Sequence, residues 1–180
     1  NCPLVANADQ ADADGDGIGN ACDILSGESR SSTLAITSDD RIVVTANRDA
    51  NTVTILKVRN NDGSDAKEVL AEIAVGQEPR YVAIGPADRE AYVSNAVSGT
   101  ISVISLFGDT AFKKVADIAC GVEPRGIAVT PNGSQLLVCN HTAATVTIID
   151  LKTRTISKTV NVGGEPMAVA ITNNGDASDT

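Results

Sequence analysis

Asp12, Asp14, Asp16, Asn20 and Asp23 stand at positions 1, 3, 5, 9 and 12 of a twelve-residue window, with Gly17 at position 6 and Ile18 at position 7. Alternate residues of a tightly curling loop point inward, and calcium takes about six to eight oxygen ligands from such a loop. Gly17 supplies the sharp turn, Ile18 offers its backbone carbonyl, and the remaining positions offer side-chain oxygens. The expected metal site is therefore Asp12, Asp14, Asp16, Ile18, Asn20 and Asp23, with calcium as the cofactor. Magnesium suits the loop less, because it keeps its waters and avoids all-protein cages. Asp23 in place of a bidentate Glu, and neutral Asn20, should weaken binding without removing it. The plainer alternative is a solvated acidic turn, but the strict alternation with glycine in register favours a cage.

The spacing is that of an EF-hand loop, yet no helical pattern flanks it, so no helix–loop–helix is expected. Its neighbours instead read Asn1-Cys2-Pro3, then Asn7-Ala-Asp9-Gln10-Ala-Asp12, then Cys22. Residues 1–23 resemble a thrombospondin type 3 repeat, with the cysteines, proline, glutamine and aspartate ladder in order. The resemblance implies a calcium-wrapped, disulfide-linked extracellular segment with little apolar core. It implies too that Asn7, Asp9 and Gln10 complete a preceding site whose carboxylates lie before Asn1, so the chain reads as clipped there. Four cysteines allow three pairings. Cys2 with Cys22 is the favoured one, closing the loop onto its lead-in.

The 180 residues carry a net charge of −9 and an estimated pI near 4.5, which makes nucleic acid a poor partner. Hydrophobic residues reach 42% while aromatics are 2%, so the core must be Val, Ile, Leu and Ala, as suits β-structure. No apolar run approaches the roughly 18 residues that span a bilayer. The chain shows no initiator Met, signal peptide or basic targeting segment; because its start reads as truncated, that says nothing about export.

What must position any chemistry beyond the calcium loop is a repeat. Gly76-Gln-Glu-Pro79, Gly121-Val-Glu-Pro124 and Gly163-Gly-Glu-Pro166 each precede an apolar run (Val82-Ala83-Ile84, Ile127-Ala128-Val129, Val169-Ala170-Ile171) and then a turn. Tyr92-Val-Ser-Asn95 and Leu137-Val-Cys-Asn140 follow, then Thr100-Ile-Ser-Val-Ile and Thr145-Val-Thr-Ile-Ile. An earlier copy reads Leu34-Ala35-Ile36, Val43-Val-Thr-Ala-Asn47 and Thr52-Val-Thr-Ile-Leu. Gly to Ala is 7 residues, Ala to Asn 12 and Asn to Thr 5 in every copy that has them, whereas Thr to the next Gly runs 24, 21 and 18. Three fixed joints and one elastic one describe blades whose inner strands are constant and whose outer hairpin is free.

Such spacing predicts an all-β chain: a partial β-propeller of about three four-stranded blades over residues 28–180, preceded by an irregular calcium-binding segment and linker over residues 1–27. The repeat resembles the YVTN-type propeller repeats of surface-layer and secreted proteins, with Tyr92-Val93-Ser94-Asn95 nearest the naming tetrad. The last copy stops after its first strand and turn, Asn173-Asn-Gly175, so the C-terminus also reads as cut. An open array would leave blade faces uncovered, and self-association is the expected consequence. Cys120 and Cys139 replace Val, Ser or Thr of sibling repeats and read as buried free thiols, a disulfide between them being the alternative.

Other chemistry is sparse. His141 is the sole histidine and reads as a surface turn residue, with no Cys or second His at ligand spacing. Glu78, Glu123 and Glu165 occupy equivalent blade positions. They could ring a central channel and hold a cation, though solvated loop residues are the plainer reading. Asn47, Asn95 and Asn140 read as turn-stabilising side chains. Asn132-Gly-Ser134 and Asn140-His-Thr142 are glycosylation sequons. No haem-attachment, nucleophile-elbow or phosphate-loop motif is present, and no catalytic residue is assigned. The leading functional expectation is a non-enzymatic extracellular or cell-surface protein, in which a calcium-stiffened tether presents a propeller to an unknown protein or surface polymer, as in adhesion. The alternative is a propeller enzyme, lactonase-like or quinoprotein dehydrogenase-like, whose active residues lie mostly in blades outside this chain.

Overall fold

The computed structural model describes residues 29–30 and 33–172. The calcium ligands proposed between Asp12 and Asp23, the Cys2–Cys22 pairing, the boundary at residue 27 and the turn at 173–175 lie outside the described residues.

Within them the chain is all-β, and the repeat becomes three four-stranded antiparallel sheets. After a short strand β1 (Ser29–Arg30), blade 1 comprises β2 (Leu34–Ile36), β3 (Ile42–Asn47), β4 (Thr52–Arg59) and β5 (Asp65–Ala74). Blade 2 comprises β6 (Pro79–Ile84), β7 (Glu90–Asn95), β8 (Thr100–Ser105) and β9 (Lys113–Ala119). Blade 3 comprises β10 (Pro124–Val129), β11 (Gln135–Asn140), β12 (Thr145–Asp150) and β13 (Thr155–Asn161), and β14 (Ala170–Ile171) pairs antiparallel with β1. The elastic joint of the sequence is the outermost hairpin and the crossover that follows it. The inner strand β6 lies between β2 and β10, while the outer strands scarcely meet.

Blade 2 shows why its strands are apolar on both faces. Its successive side chains point alternately to the two sides of the sheet. Ala83, Tyr92, Ile101 and Val103 pack on Ile127, Val129, Leu136, Val138 and Ile149 of blade 3. Val82, Ala91, Val93 and Ile104 pack on Val44, Val53 and Ile55 of blade 1. Val, Ile, Leu and Ala fill most of both interfaces, with Tyr92 the one buried aromatic among the described residues. The outermost strand of blade 3 is exposed along its whole length.

Each blade repeats its irregularities. The third-to-fourth strand pairing slips after Ile55, Val103 and Ile148, and the inner strand slips just after Pro79 and Pro124. A bulge adds local twist and re-aims the side chain beside it. The inner-strand slip therefore sits beside Arg80 and Arg125.

Candidate functional site

An antiparallel meander sends the turn before the inner strand and the hairpin between its second and third strands to the same end of the blade. That end gathers the chemistry. Glu78 and Glu123 adopt left-handed backbone, φ 58° and 56°, immediately before the prolines that open β6 and β10. Proline pushes the residue before it toward extended backbone, so the left-handed glutamates are a conformation the turn imposes, and each carboxylate lies against the arginine two residues on.

The expectation of solvated glutamates, or of a carboxylate ring holding a cation, is corrected at two positions by arginine. Glu78 Oε1 accepts from Arg80 Nη2 at 2.5 Å and also pairs with Arg48 of blade 1. Glu123 Oε1 accepts from Arg125 Nε and Nη2 at 3.0 and 2.5 Å, and its Oε2 accepts from the Thr142 hydroxyl. The Thr142 bond, then the Arg125 bonds and charge, hold the Glu123 carboxyl down at about 2. The motif thus reads Glu-Pro-Arg in two blades. In the third, Met167 stands where arginine would, and its Sδ accepts from Arg125 Nη1 at 3.1 Å.

His141 departs from the surface-residue expectation. It opens the β11–β12 turn as expected, but its ring is only 17% exposed. Nδ1 lies 3.3 Å from Glu123 Oε2 and Nε2 lies 3.5 Å from Glu165 Oε2, so the imidazole is wedged between two carboxylates from successive inner-strand turns. Nδ1 is buried without a well-aligned hydrogen bond. Glu165 itself is largely exposed. A carboxylate beside one imidazole nitrogen can orient the ring as a proton acceptor, and adjacent guanidinium N–H groups can receive an anionic oxygen. Glu123, His141 and Arg125 place both capacities together; the sequence shows each residue, and the Glu-Pro-Arg repeat, but not their meeting.

The recurring asparagines are more than turn residues. Asn47 Nδ2 donates to Thr52 and Thr54 at 3.0 and 2.7 Å, Asn95 to Thr100 and Ser102 at 3.1 and 2.9 Å, and Asn140 to Thr145 and Thr147 at 3.1 and 2.7 Å. Asn95 and Asn140 are fully buried. The bonds continue outward from Ser102 to Asp117 at 2.6 Å and from Thr52 to Glu72 at 2.9 Å. These rungs tie strands two, three and four together. Burial also separates the two sequons: Asn132 is exposed, whereas Asn140 is closed off.

Cys120 and Cys139 are free thiols rather than a disulfide; Cys139 is buried as expected, whereas Cys120 is only half-buried. Among the described residues no cluster of three or more His, Cys, Asp or Glu is placed to hold a metal. Nor, among them, is any helix long and apolar enough to cross a membrane.

Three sheets arranged radially about shared inner strands define the propeller class. The profile of the family "Lactonase, 7-bladed beta-propeller" matches residues 18–112, more than half of the chain. The chain belongs to this family of seven-bladed lactonase propellers. Among solved structures it is similar to the periplasmic gluconolactonase of Pseudomonas aeruginosa, with 18% identity and a TM-score of 0.61 over 79% of this chain and 42% of that one. A Bacteroides fragilis protein assigned as a 6-phosphogluconolactonase gives 21% identity and a TM-score of 0.65, over 79% of this chain and 42% of that one. Hydrazine synthase of Kuenenia stuttgartiensis gives 22% and 0.63, over 73% and 35%. At these identities the likeness is one of fold, and the chain spans less than half the length of these structures. No curated protein matches the sequence.

Proposed function

We propose that this chain contributes blades to a lactone-hydrolysing propeller, the alternative reading of the sequence, rather than to an adhesive one. The observation that carries the proposal is the wedging of His141 between Glu123 and Glu165 beside Arg125, at the end of the inner strands where all blades converge. Membership of the lactonase family supports it. A lactone is an ester closed on itself, so its hydrolysis needs a water made nucleophilic and a place for charge on the carbonyl oxygen. His141, oriented by Glu123, takes the proton of the attacking water as its oxygen bonds to the carbonyl carbon. When the tetrahedral intermediate collapses the ring C–O bond breaks, and His141 returns that proton to the leaving alkoxide. Arg125, whose Nη1 faces only a weak thioether acceptor, offers an N–H to the developing oxyanion. General base catalysis of this kind contributes about 10²–10⁴-fold.

The test is acid release from δ-gluconolactone, followed by pH-stat above the spontaneous rate. His141→Asn should lower kcat by about 100-fold with little change in KM. An unchanged kcat would remove His141 from the mechanism, and no rate above background in the unaltered protein would remove the reading itself.

A second proposal concerns the N-terminal segment, where the aspartate spacing alone supports calcium binding. Asp12, Asp14, Asp16, Ile18, Asn20 and Asp23 would cage calcium in an extracellular or surface-exposed tether, at the roughly 10⁻⁴–10⁻³ M affinity of extracellular modules. Calorimetric titration of metal-stripped protein should give saturable heat that Asp12→Ala with Asp16→Ala abolishes. Absence of heat at millimolar calcium would refute it.

A further inference from the structure

At the opposite end of the blades, the first-to-second strand turns of blades 2 and 3 and the Ser105–Gly108 turn enclose a cleft of about 490 Å³. Its size lies within the range of small-molecule sites. Gly133 packs on the ring of Pro86 so closely that a Cβ there would stand 2.8 Å from Pro86 Cγ, which fixes the two turns against each other. The cleft wall is tied across the blade boundary as well. Glu90 accepts from Tyr92 Oη at 2.8 Å and from Arg154 Nη2 of blade 3 at 2.8 Å. Burial of Tyr92 and its bond to Glu90 push its phenol well above the usual range, so it stays a neutral donor.

With Glu90 neutralised by Arg154, the charge left over in the cleft is Arg89. Among the described residues its guanidinium makes no ion pair or hydrogen bond, although the chain as a whole is strongly acidic. Across from it, Asn132 spends Oδ1 on the Thr130 hydroxyl and the Ser134 N–H, leaving its Nδ2 donor uncommitted. The uncommitted polar side-chain groups are therefore donors, one of them cationic. The rim is Phe107, 72% exposed, the most exposed large apolar side chain among the described residues and one of only four aromatic rings in the chain.

We propose that this cleft binds a small organic carboxylate carried on a ring. Arg89 pairs with the carboxylate, Asn132 donates a second hydrogen bond, and the ring lies against Phe107. The site is separate from the His141 cluster and does not depend on the lactonase reading.

The probes are benzoate and glucuronate, with benzamide and glucose as their uncharged counterparts, titrated into the whole chain while the Tyr and Phe ring resonances are followed by NMR. Both acids should shift Tyr92 and Phe107 saturably, and the neutral probes should bind far more weakly. Arg89→Ala should weaken the acids by about tenfold or more. Asn132→Asp keeps the turn acceptor while adding a like charge, and should weaken them similarly. Equal binding of acids and neutral probes, unchanged affinity in folded Arg89→Ala and Asn132→Asp, or no shift of Tyr92 or Phe107 at saturating probe would each overturn the proposal.

Discussion

A Cβ on Gly121 would stand 2.5 Å from Asn140 Cγ and 2.6 Å from its Oδ1, so the bare glycine of one turn and the buried asparagine of the neighbouring strand end share one volume. Gly76 and Asn95 repeat the relationship one blade earlier, at 2.7 Å. Glycine recurs here because asparagine occupies the space its side chain would need.

Gly121→Ala should therefore cost about 1–3 kcal/mol through overpacking. Asn140→Ala should cost a similar amount by leaving the Thr145 and Thr147 hydroxyls short of a partner. The double variant should lose less than the sum, because removing the asparagine makes room for the methyl. Urea unfolding of the four proteins measures the coupling, and strict additivity would show that the two residues do not compete for space.

Glu123 makes stability depend on acidity in a defined window. Its carboxyl sits near 2 in the folded chain against an ordinary 4.5. A depressed folded value means the unfolded chain binds the proton first, so the stabilisation is whole above 4.5 and drains as pH falls toward 2. Melting temperatures of the unaltered protein and Glu123→Gln should differ near neutrality and converge across that interval. A constant difference down to pH 2 would contradict the assignment.

The two described thiols should be inert in the folded chain. Burial pushes Cys120 up to about 12 and raises Cys139, which is 1% exposed. Since the thiolate is the nucleophile, iodoacetamide near pH 8 should leave both unmodified by peptide mass spectrometry and label both after guanidinium unfolding. Rapid native-state labelling of Cys139 would mean that strand β11 opens locally.

The β11–β12 turn carries a correctable strain. Ala144 has φ 53°, where blades 1 and 2 place Asn51 at 57° and Gly99 at 66°. Left-handed backbone costs a residue with a Cβ about 1–2 kcal/mol, partly offset by the greater chain entropy of glycine. Ala144→Gly should thus gain about 0.5–1 kcal/mol and raise Tm by a few degrees. Gly99→Ala should do the reverse, since its Cβ would also meet the Gly121 carbonyl at 2.8 Å.

Much of the fold was legible in the sequence. The glycine, alanine, asparagine and threonine joints located the three inner strands of each blade, because strand alternation and turn chemistry act over a few residues, while the outermost strands β5, β9 and β13 lay within the elastic joint. The candidate site was legible only in pieces. Glu78, Glu123, Glu165 and His141 were visible as recurring or solitary residues, but their partners were not. Arg80 and Arg125 lie two residues beyond their glutamates and repeat in two blades, but neighbours two apart on a regular strand share a face without pairing, and only the left-handed turn at each glutamate brings the charges together.

By itself the sequence determined the repeat, its all-β blades, their apolar interiors and the twelve-residue aspartate spacing of residues 12–23, all properties of short stretches of chain. Tertiary structure alone decided that His141 meets Glu165, that Arg48 reaches Glu78, that Arg154 crosses to Glu90 and that Gly121 lies under Asn140. Such pairings depend on how each twisted sheet rests on the next, and that angle is set by the packing of Val, Ile and Ala across two blade interfaces rather than by any local run of residues.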